Sequence, residues 1–412
     1  MNEQFLPVIC GFDIADYAFA RIFHESLGVR SLVISDIRRG PINDSRILDV
    51  QLVPLGTLAD ENRFIECLRS VADAHPNQRL ILCVNSDEGV EFAVRHRSEL
   101  EGRWFLPYSS SDVVARANSK NAMADVFRSA GVAVPRRTVL DLREPATWKS
   151  TLETIPFPVV VKPEDGADFH FHRKQGLWKA MAIGNLDQAF VTFEEWRSHG
   201  IGVRLIVQEL IPGDDTTQWV VNGYVDARGE VTAAGSGRVL LGLHQPDVIG
   251  NAAMILVQKN QGLIDAGIGA VKAAGLRGFF SLDVKVDPRT GTPYWLDLNP
   301  RIGRGHYYMK IGGIDLVRSI VADMDGEESE FQGITREGIY TVVPMLLANK
   351  RYIRDASLRK RVVALRRQGR AVNPLAYPAD ANARRAVYRL LNGVNQIRQM
   401  HHFYPHPTDS GF

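Results

Sequence analysis

Between Phe279 and Arg301 the chain writes two short strands joined by a turn, and each strand carries a carboxylate that the turn sets against the other. Apolar and polar residues alternate on both sides of Asp287, Pro288 and Gly291, which supply turn chemistry. Folding about Thr290 puts Asp283 opposite Asp297, and the two-residue period of a strand puts Asn299 on the same face. Facing carboxylates destabilise a hairpin unless a cation or a shared proton lies between them. The segment therefore has to be both a hairpin and a seat for positive charge. Carboxylate and amide oxygens suit a hard ion such as Mg²⁺, which keeps some water and takes its remaining ligands from phosphates. A surface hairpin with solvated acids is the plainer reading, and the rest of the chain decides between the two.

A length of 412 residues calls for two or three domains rather than one core. In the first part, strands over Leu6 to Gly11, Val29 to Ser35 and Leu80 to Asn85 alternate with helices over Tyr17 to Leu27 and from Asp87 towards Arg97. That alternation predicts a parallel sheet covered on both faces. Asp13 and Asp16 follow the first strand, where ligands bind in such sheets, although capping of the next helix explains them as well. Gly11 stands alone in its turn, so the dinucleotide fingerprint is missing and an oxidoreductase of the Rossmann type is excluded.

From Ser110 the pattern changes. Ser111-Asp112 and Asn118 to Asn121 start helices, and Pro156 to Lys162 is a β-branched run that ends in a lysine just before Pro163. A cation closing a buried strand has to find an anion. Asp168 to Gly184 shows no regular pattern, and its neighbours His170 and His172 either reach a substrate or are solvated. A helix around Asp187 to His199, a strand from Ile206 into the turn at Pro212 to Asp215, a hairpin over Trp219 to Ser236 and a helix over Gln258 to Gly275 lead into the acidic hairpin.

Cys10, Cys67 and Cys83 are too scattered for a disulfide framework or a thiolate metal site and read as small core residues. The N-terminal residues have neither a basic start nor a long apolar run, and no later stretch is long enough to span a bilayer. The expectation is a reduced, cytoplasmic protein without a transmembrane segment. The net charge is only +2, but Arg359, Lys360, Arg361, Arg366, Arg367, Arg370, Arg384, Arg385, Arg389 and Arg398 crowd the C-terminal region with few acids. Such a region is a solvated helical face, a contact for a phosphate-bearing substrate, or an attachment to an anionic membrane surface. No motif or aromatic interleaving accompanies it, which argues against nucleic acid as a partner.

Taken in order, Lys120 near a helix start, Lys162 closing a strand, the linker Gln208-Glu209-Leu210-Ile211-Pro212-Gly213-Asp214-Asp215, and Asp283 with Asp297-Leu298-Asn299-Pro300-Arg301 resemble the ATP-grasp superfamily of carboxylate-amine ligases. The resemblance implies an α/β and α+β architecture. It consists of a Rossmann-like pre-ATP-grasp domain over residues 1–110, an ATP-grasp domain of two α+β subdomains over 111–325, and a basic, mainly helical C-terminal region over 326–412. ATP would lie between the two subdomains, with Mg²⁺ or, in its place, Mn²⁺. Carried over position by position, Lys120 and Lys162 would hold the α- and β-phosphates. Backbone groups of Glu209, Leu210 and Ile211 would bond the adenine edge, Gln208 its amino group and Asp215 the ribose. Asp283, Asp297 and Asn299 would bind one or two metal ions, while Arg301, Arg304 and Arg238 would clamp the transferred phosphoryl group or the substrate carboxylate.

Within the superfamily, Gly11 to Arg21, Ile206 to Asp215 and Asp247 to Asn251 are most similar to the ligases that add D-aspartate to the lysine side chain of the peptidoglycan stem peptide. That likeness extends over most of residues 5–320, fades in the C-terminal part, and implies a UDP- or lipid-linked muropeptide as the amine acceptor. Two departures stand out. Asp297 occupies a position where glutamate is commoner, and the loop Glu164 to His172 lacks the usual run of glycines. The rivals are a ligase of the same architecture for another amino acid or small peptide, and an ATP-binding protein of this fold without turnover.

Overall fold

The computed structural model describes residues 5–412, apart from the side chains of Ala167 and His170. Five strands, β1 (Phe5–Cys10), β2 (Ser31–Ser35), β3 (Leu48–Leu52), β4 (Arg79–Val84) and β5 (Trp104–Phe105), form a parallel sheet in the order β3-β2-β1-β4-β5. The central strands are apolar throughout because helices cover both faces. β3 escaped the reading of the sequence. It is an edge strand whose Asp49 and Gln51 interrupt the apolar run. The helix Ile14–Leu27 leaves β1 through a capping box in which Asp13 Oδ1 accepts from Ala15 N–H at 2.6 Å and Asp16 Oδ2 from Asp13 N–H at 2.8 Å.

Four antiparallel strands, β6 (Arg137–Asp141), β7 (Val159–Pro163), β8 (Met181–Ile183) and β9 (Arg204–Glu209), form a second sheet in the order β6-β9-β7-β8. One face buries Leu140, Val159, Val161, Leu205 and Val207 against Trp148, Phe193 and Trp196 of two covering helices, a core of its own. Because Arg137 pairs with Gln208 and Gln208 with Val160, the other face carries Arg137, Gln208, Val160 and Lys162. That polar face is turned towards the third sheet.

The third sheet joins β10 (Gln218–Val225), β11 (Val231–Gly242), β12 (Ala252–Val257), β13 (Gly278–Val286), β14 (Pro293–Asn299), β15 (Gly338–Thr341) and β16 (Ala371–Val372) in the order β14-β13-β10-β11-β12-β15-β16. Asp283 does pair with Asp297 and Ser281 with Asn299, yet the hairpin is not an unbroken alternation. Val284 pairs with Trp295, so Leu296 is an extra residue, a bulge that changes the face of everything after it. Trp295 is thereby buried with Leu282, Val284 and the helix Gln261–Ala274, while Asp297 and Asn299 point to the opposite side. Gly278 opens β13 at φ +79°, and a Cβ there would stand 1.8 Å from Pro107 O, so only glycine lets the linker after the first sheet dock on this strand.

The first and third sheets share one large core, to which residues after 340 contribute Tyr352, Leu358, Val362, Leu365 and Met400. The C-terminal region thus supplies two sheet strands as well as the helices Ala356–Arg367 and Ala383–Phe403. Some of its arginines are spent on the fold. Arg359 donates to the carbonyls of Ile353 and Arg354 at 2.6 Å, Arg361 pairs with Glu337, and Arg385 is buried against Asp380.

Candidate active site

Lys162 makes the contact that joins the second sheet to the acidic hairpin. Its Nζ lies 3.1 Å from Asp297 Oδ2 and 3.3 Å from Oδ1, and the two side chains keep 13% and 31% of their surface open to the cleft between the sheets. Lys120, the first residue of the helix Lys120–Ser129, approaches the same carboxylate with its Nζ 3.4 Å from Glu164 O. Burial pushes Asp297 up, but Lys162, Lys120 and Arg137 outweigh it and hold the carboxyl below its usual range. Asp283 responds the other way. Burial first and Asp297 second push it up to about 7, against the pull of Lys179, Arg301 and Lys162.

The loop after β14 delivers two arginines, each held by an acid of the first sheet's loops. Arg301 Nε donates to Asp87 Oδ1 at 2.5 Å and Nη2 to Oδ2 at 3.3 Å, and Nη2 also reaches Asn299 Oδ1 at 3.4 Å. Arg304 Nη2 donates to Asp13 Oδ2 at 3.0 Å, so the capping aspartate is also an anchor. Beneath the loop, His306 Nδ1 accepts from Gly303 N–H at 3.1 Å, next to Asn222. Burial pulls His306 from 6.5 down to about 4, which keeps the ring neutral and able to accept. A depressed pKa contributes stability that is complete above 6.5 and lost as pH falls through 4. Between pH 7 and pH 4 the His306→Gln variant should therefore lose about 2–3 kcal/mol less unfolding free energy than the parent, read by urea titration at both pH values. Equal losses would mean that the buried ring is not neutral.

Arg238 and Asp215 stand apart from this group. Trp219 pairs with both Arg238 and Val284, whereas Asp283 pairs with Val220, so Arg238 occupies the other face of the sheet from the carboxylates. Its Nε donates to Thr216 O at 2.7 Å. The expectation that Arg238 points into the site is corrected by one residue of register. Asp215 is buried, accepts from Gly242 N–H at 2.7 Å and faces His244 Nε2 at 3.0 Å, a position committed to the fold rather than offered to a ribose. The C-terminal tail closes over it, with Gly213 N–H donating to Asp409 O at 2.6 Å and Lys285 Nζ to Ser410 O at 2.7 Å. His172 bonds Gln175, and the side chain of His170 lies outside the described residues.

Three residues that the sequence did not single out belong here. Besides Asp87, Lys179 sits among Arg301, Asp283, Arg304 and Asp297, its pKa lowered chiefly by burial. The one sequence signal is that no acid occurs between Phe169 and Leu186, so this lysine has no local partner. Arg137 donates through Nη1 to Lys120 O at 2.6 Å, while its Nε and Nη2 are buried without a partner. Opposite it, the buried Gln208 leaves Oε1 unsatisfied. At the end of β9, Glu209 N–H is taken by Arg136 O and Leu210 N–H by Pro158 O, while Ile211 N–H has no backbone partner among the described residues. Orphaned buried polar groups carry a cost, and a cluster of them along one wall fits a hydrogen-bonding ligand.

A divalent ion fits the hairpin on the same grounds. Asp283 makes no hydrogen bond among the described residues, and burial and the facing Asp297 carboxylate raise its pKa, so added positive charge would be accommodated there. No group of three or more His, Cys, Asp or Glu converges on one point among the described residues. Two carboxylates and an amide are the partial donor set of an ion that completes its shell with water and phosphate.

No protein-family model matches the chain. A D-aspartate ligase of Enterococcus faecium (strain Aus0004) is 26% identical over 328 residues, which cover 78% of this chain and 77% of that one. Among solved structures, the ADP complex of N5-carboxyaminoimidazole ribonucleotide synthetase matches with a TM-score of 0.59 and 12% identity, covering 82% of this chain and 81% of that one. The L-amino acid ligase from Bacillus licheniformis matches with a TM-score of 0.55 and 16% identity, covering 79% and 75%. The structural matches establish the fold, and the D-aspartate ligase is similar along most of both chains.

Proposed function

We propose that this chain, an enzyme of the ATP-grasp ligase family, joins the β-carboxylate of D-aspartate to the side-chain amine of a peptidoglycan precursor. The observation that carries the reading is the convergence of Lys120, Lys162, Lys179 and Arg301 on the facing pair Asp283 and Asp297. A carboxylate is a poor electrophile because an attacking amine would have to expel an oxide. Moving the γ-phosphoryl group of ATP onto the carboxylate oxygen releases ADP and makes phosphate the leaving group. The amine nitrogen then attacks the acyl carbon, phosphate departs and the nitrogen gives up a proton. Phosphoryl transfer asks for positioning and charge neutralisation rather than a nucleophilic side chain, and this site is built from cations and carboxylates.

In this reading Ile211 N–H and Gln208 hold the adenine edge, while Lys120, Lys162 and Arg137 hold the polyphosphate. Asp283, Asp297 and Asn299 would hold Mg²⁺, which when bound neutralises phosphate charge. Lys162 exchanges its present partner Asp297 for phosphate when the nucleotide arrives. Arg301, fixed by Asp87, and Lys179 face the transferred group. Arg304 and Asp13 form an adjacent cation–anion pair that suits the carboxylate and ammonium of an amino acid. ATP and such precursors are met in the cytoplasm, where the enzyme would act.

ADP release measured across D- and L-amino acids, with and without a lysine-containing muropeptide, tests the reading. D-aspartate together with the muropeptide should give the highest rate, at least tenfold above L-aspartate. Release that ignores the added amino acid would remove the ligase assignment, and a preference for another amino acid would replace D-aspartate.

A further inference from the structure

We infer that the outer face of the helix Ala383–Phe403 docks on an anionic lipid bilayer. The helix runs for 21 residues, yet its buried residues are only Arg385 and Met400. Val387, Leu390, Leu391 and Val394 are 56%, 69%, 63% and 60% exposed. Their spacing of three, four and seven residues puts them on one stripe. The inward side is held by the buried Arg385 against Asp380, by the Tyr388 ring against Gly40, and by Ile397 and Met400 against the core. A surface helix ordinarily carries one apolar face, turned inward, whereas this one carries a second that is turned out. Pro344 lies against Gly393, and Leu346, two residues along from it, is 70% exposed.

Charge selects the occupant. No Asp or Glu occurs between Ala383 and Phe403, and Arg384 and Arg398 lie on the same side of the helix as the stripe, before and after it. Arg398 makes no ion pair or hydrogen bond among the described residues, and Arg384 pairs with Asp44 at 3.0 Å while its side chain stays 82% exposed. A second copy is a poor occupant. Two-fold antiparallel pairing about Leu390 and Leu391 would bring Arg384 of one copy against Arg398 of the other, with no acid on the helix to offset them. A stripe of four aliphatic side chains also falls short of the ~800 Å² per partner that stable protein interfaces bury. An anionic bilayer accepts both features, because aliphatic side chains enter the acyl boundary while arginines meet the headgroups. No helix among the described residues is long and apolar enough to cross a membrane, so the contact is along the surface.

Co-sedimentation of the full chain with vesicles tests this directly. The chain should sediment with phosphatidylcholine vesicles containing one-quarter phosphatidylglycerol and should stay in solution with phosphatidylcholine alone or at high salt. The double variant Leu390→Ser, Leu391→Ser should bind at least tenfold more weakly. The pair Arg384→Gln, Arg398→Gln should bind about twenty-five-fold more weakly, at roughly fivefold per arginine. ADP release should be unchanged in both variants. Failure of the parent chain to bind phosphatidylglycerol vesicles would overturn the inference whatever the variants do. So would binding that both variants retain, or a dimer in sedimentation velocity that Leu390→Ser disperses.

Discussion

Asp297→Asn is expected to lower the rate of ADP release about a thousandfold and to leave the fold intact. Fixed electrostatic groups aimed at developing charge are worth two to three orders of magnitude each. Asp297 parks Lys162 in the cleft, and in the proposed reading it would also be a donor towards the divalent ion. Asparagine keeps the shape and one oxygen but carries no charge. Two opposing effects act on stability. Lys162 loses its ion pair, while Asp283 loses the neighbour that, after burial, contributes most to raising its pKa. The net change in melting temperature should therefore be a few degrees at most, and circular dichroism alongside the ADP assay separates the two readouts. An asparagine variant retaining a tenth of the parent activity would end the metal assignment.

Asp380→Ala should cost about 3–5 kcal/mol of unfolding free energy, the range for stripping one partner from a buried ion pair. Asp380 is 1% exposed and Arg385 6%. The carboxylate accepts from Tyr17 Oη at 2.7 Å, Ser45 Oγ at 2.8 Å and Arg46 N–H at 2.5 Å, and it faces Arg385 Nε at 3.1 Å. Arg385 continues the tie by donating to the carbonyls of Pro41 and Asn43 and by lying over the Tyr17 ring, its Cζ 4.3 Å from the centroid. Alanine strands this guanidinium in the interior and leaves three donors without an acceptor. Replacing Arg385 by Met in the same chain should recover part of the loss, because the orphaned charge is then gone. Urea unfolding of the three proteins measures both effects, and a single-variant cost below 1 kcal/mol would mean that the pair adds nothing to the C-terminal helix's attachment.

Much of the frame was readable in the chain itself. The parallel sheet follows from apolar runs alternating with helical ones, and the facing of Asp283 and Asp297 follows from a turn placed between them. The route to that pairing was different, since unbroken alternation would have put Trp295 beside the carboxylates, and a bulge at Leu296 buries it instead. β3 was missed because an edge strand carries polar residues, and Arg238 was misplaced because one residue of register exchanges the faces of a sheet.

Local order along the backbone decided which residues could alternate, cap or turn, because those preferences act over a few neighbours, and so the central strands of the parallel sheet, the cap at Asp13 and the turn of the acidic hairpin were legible in the sequence. Which charges meet is a matter of three-dimensional packing. Asp87 reaches Arg301, Asp13 reaches Arg304, and Tyr17 reaches Asp380 only after separate sheets share a core, since residues hundreds of positions apart interact through proximity that no local pattern encodes.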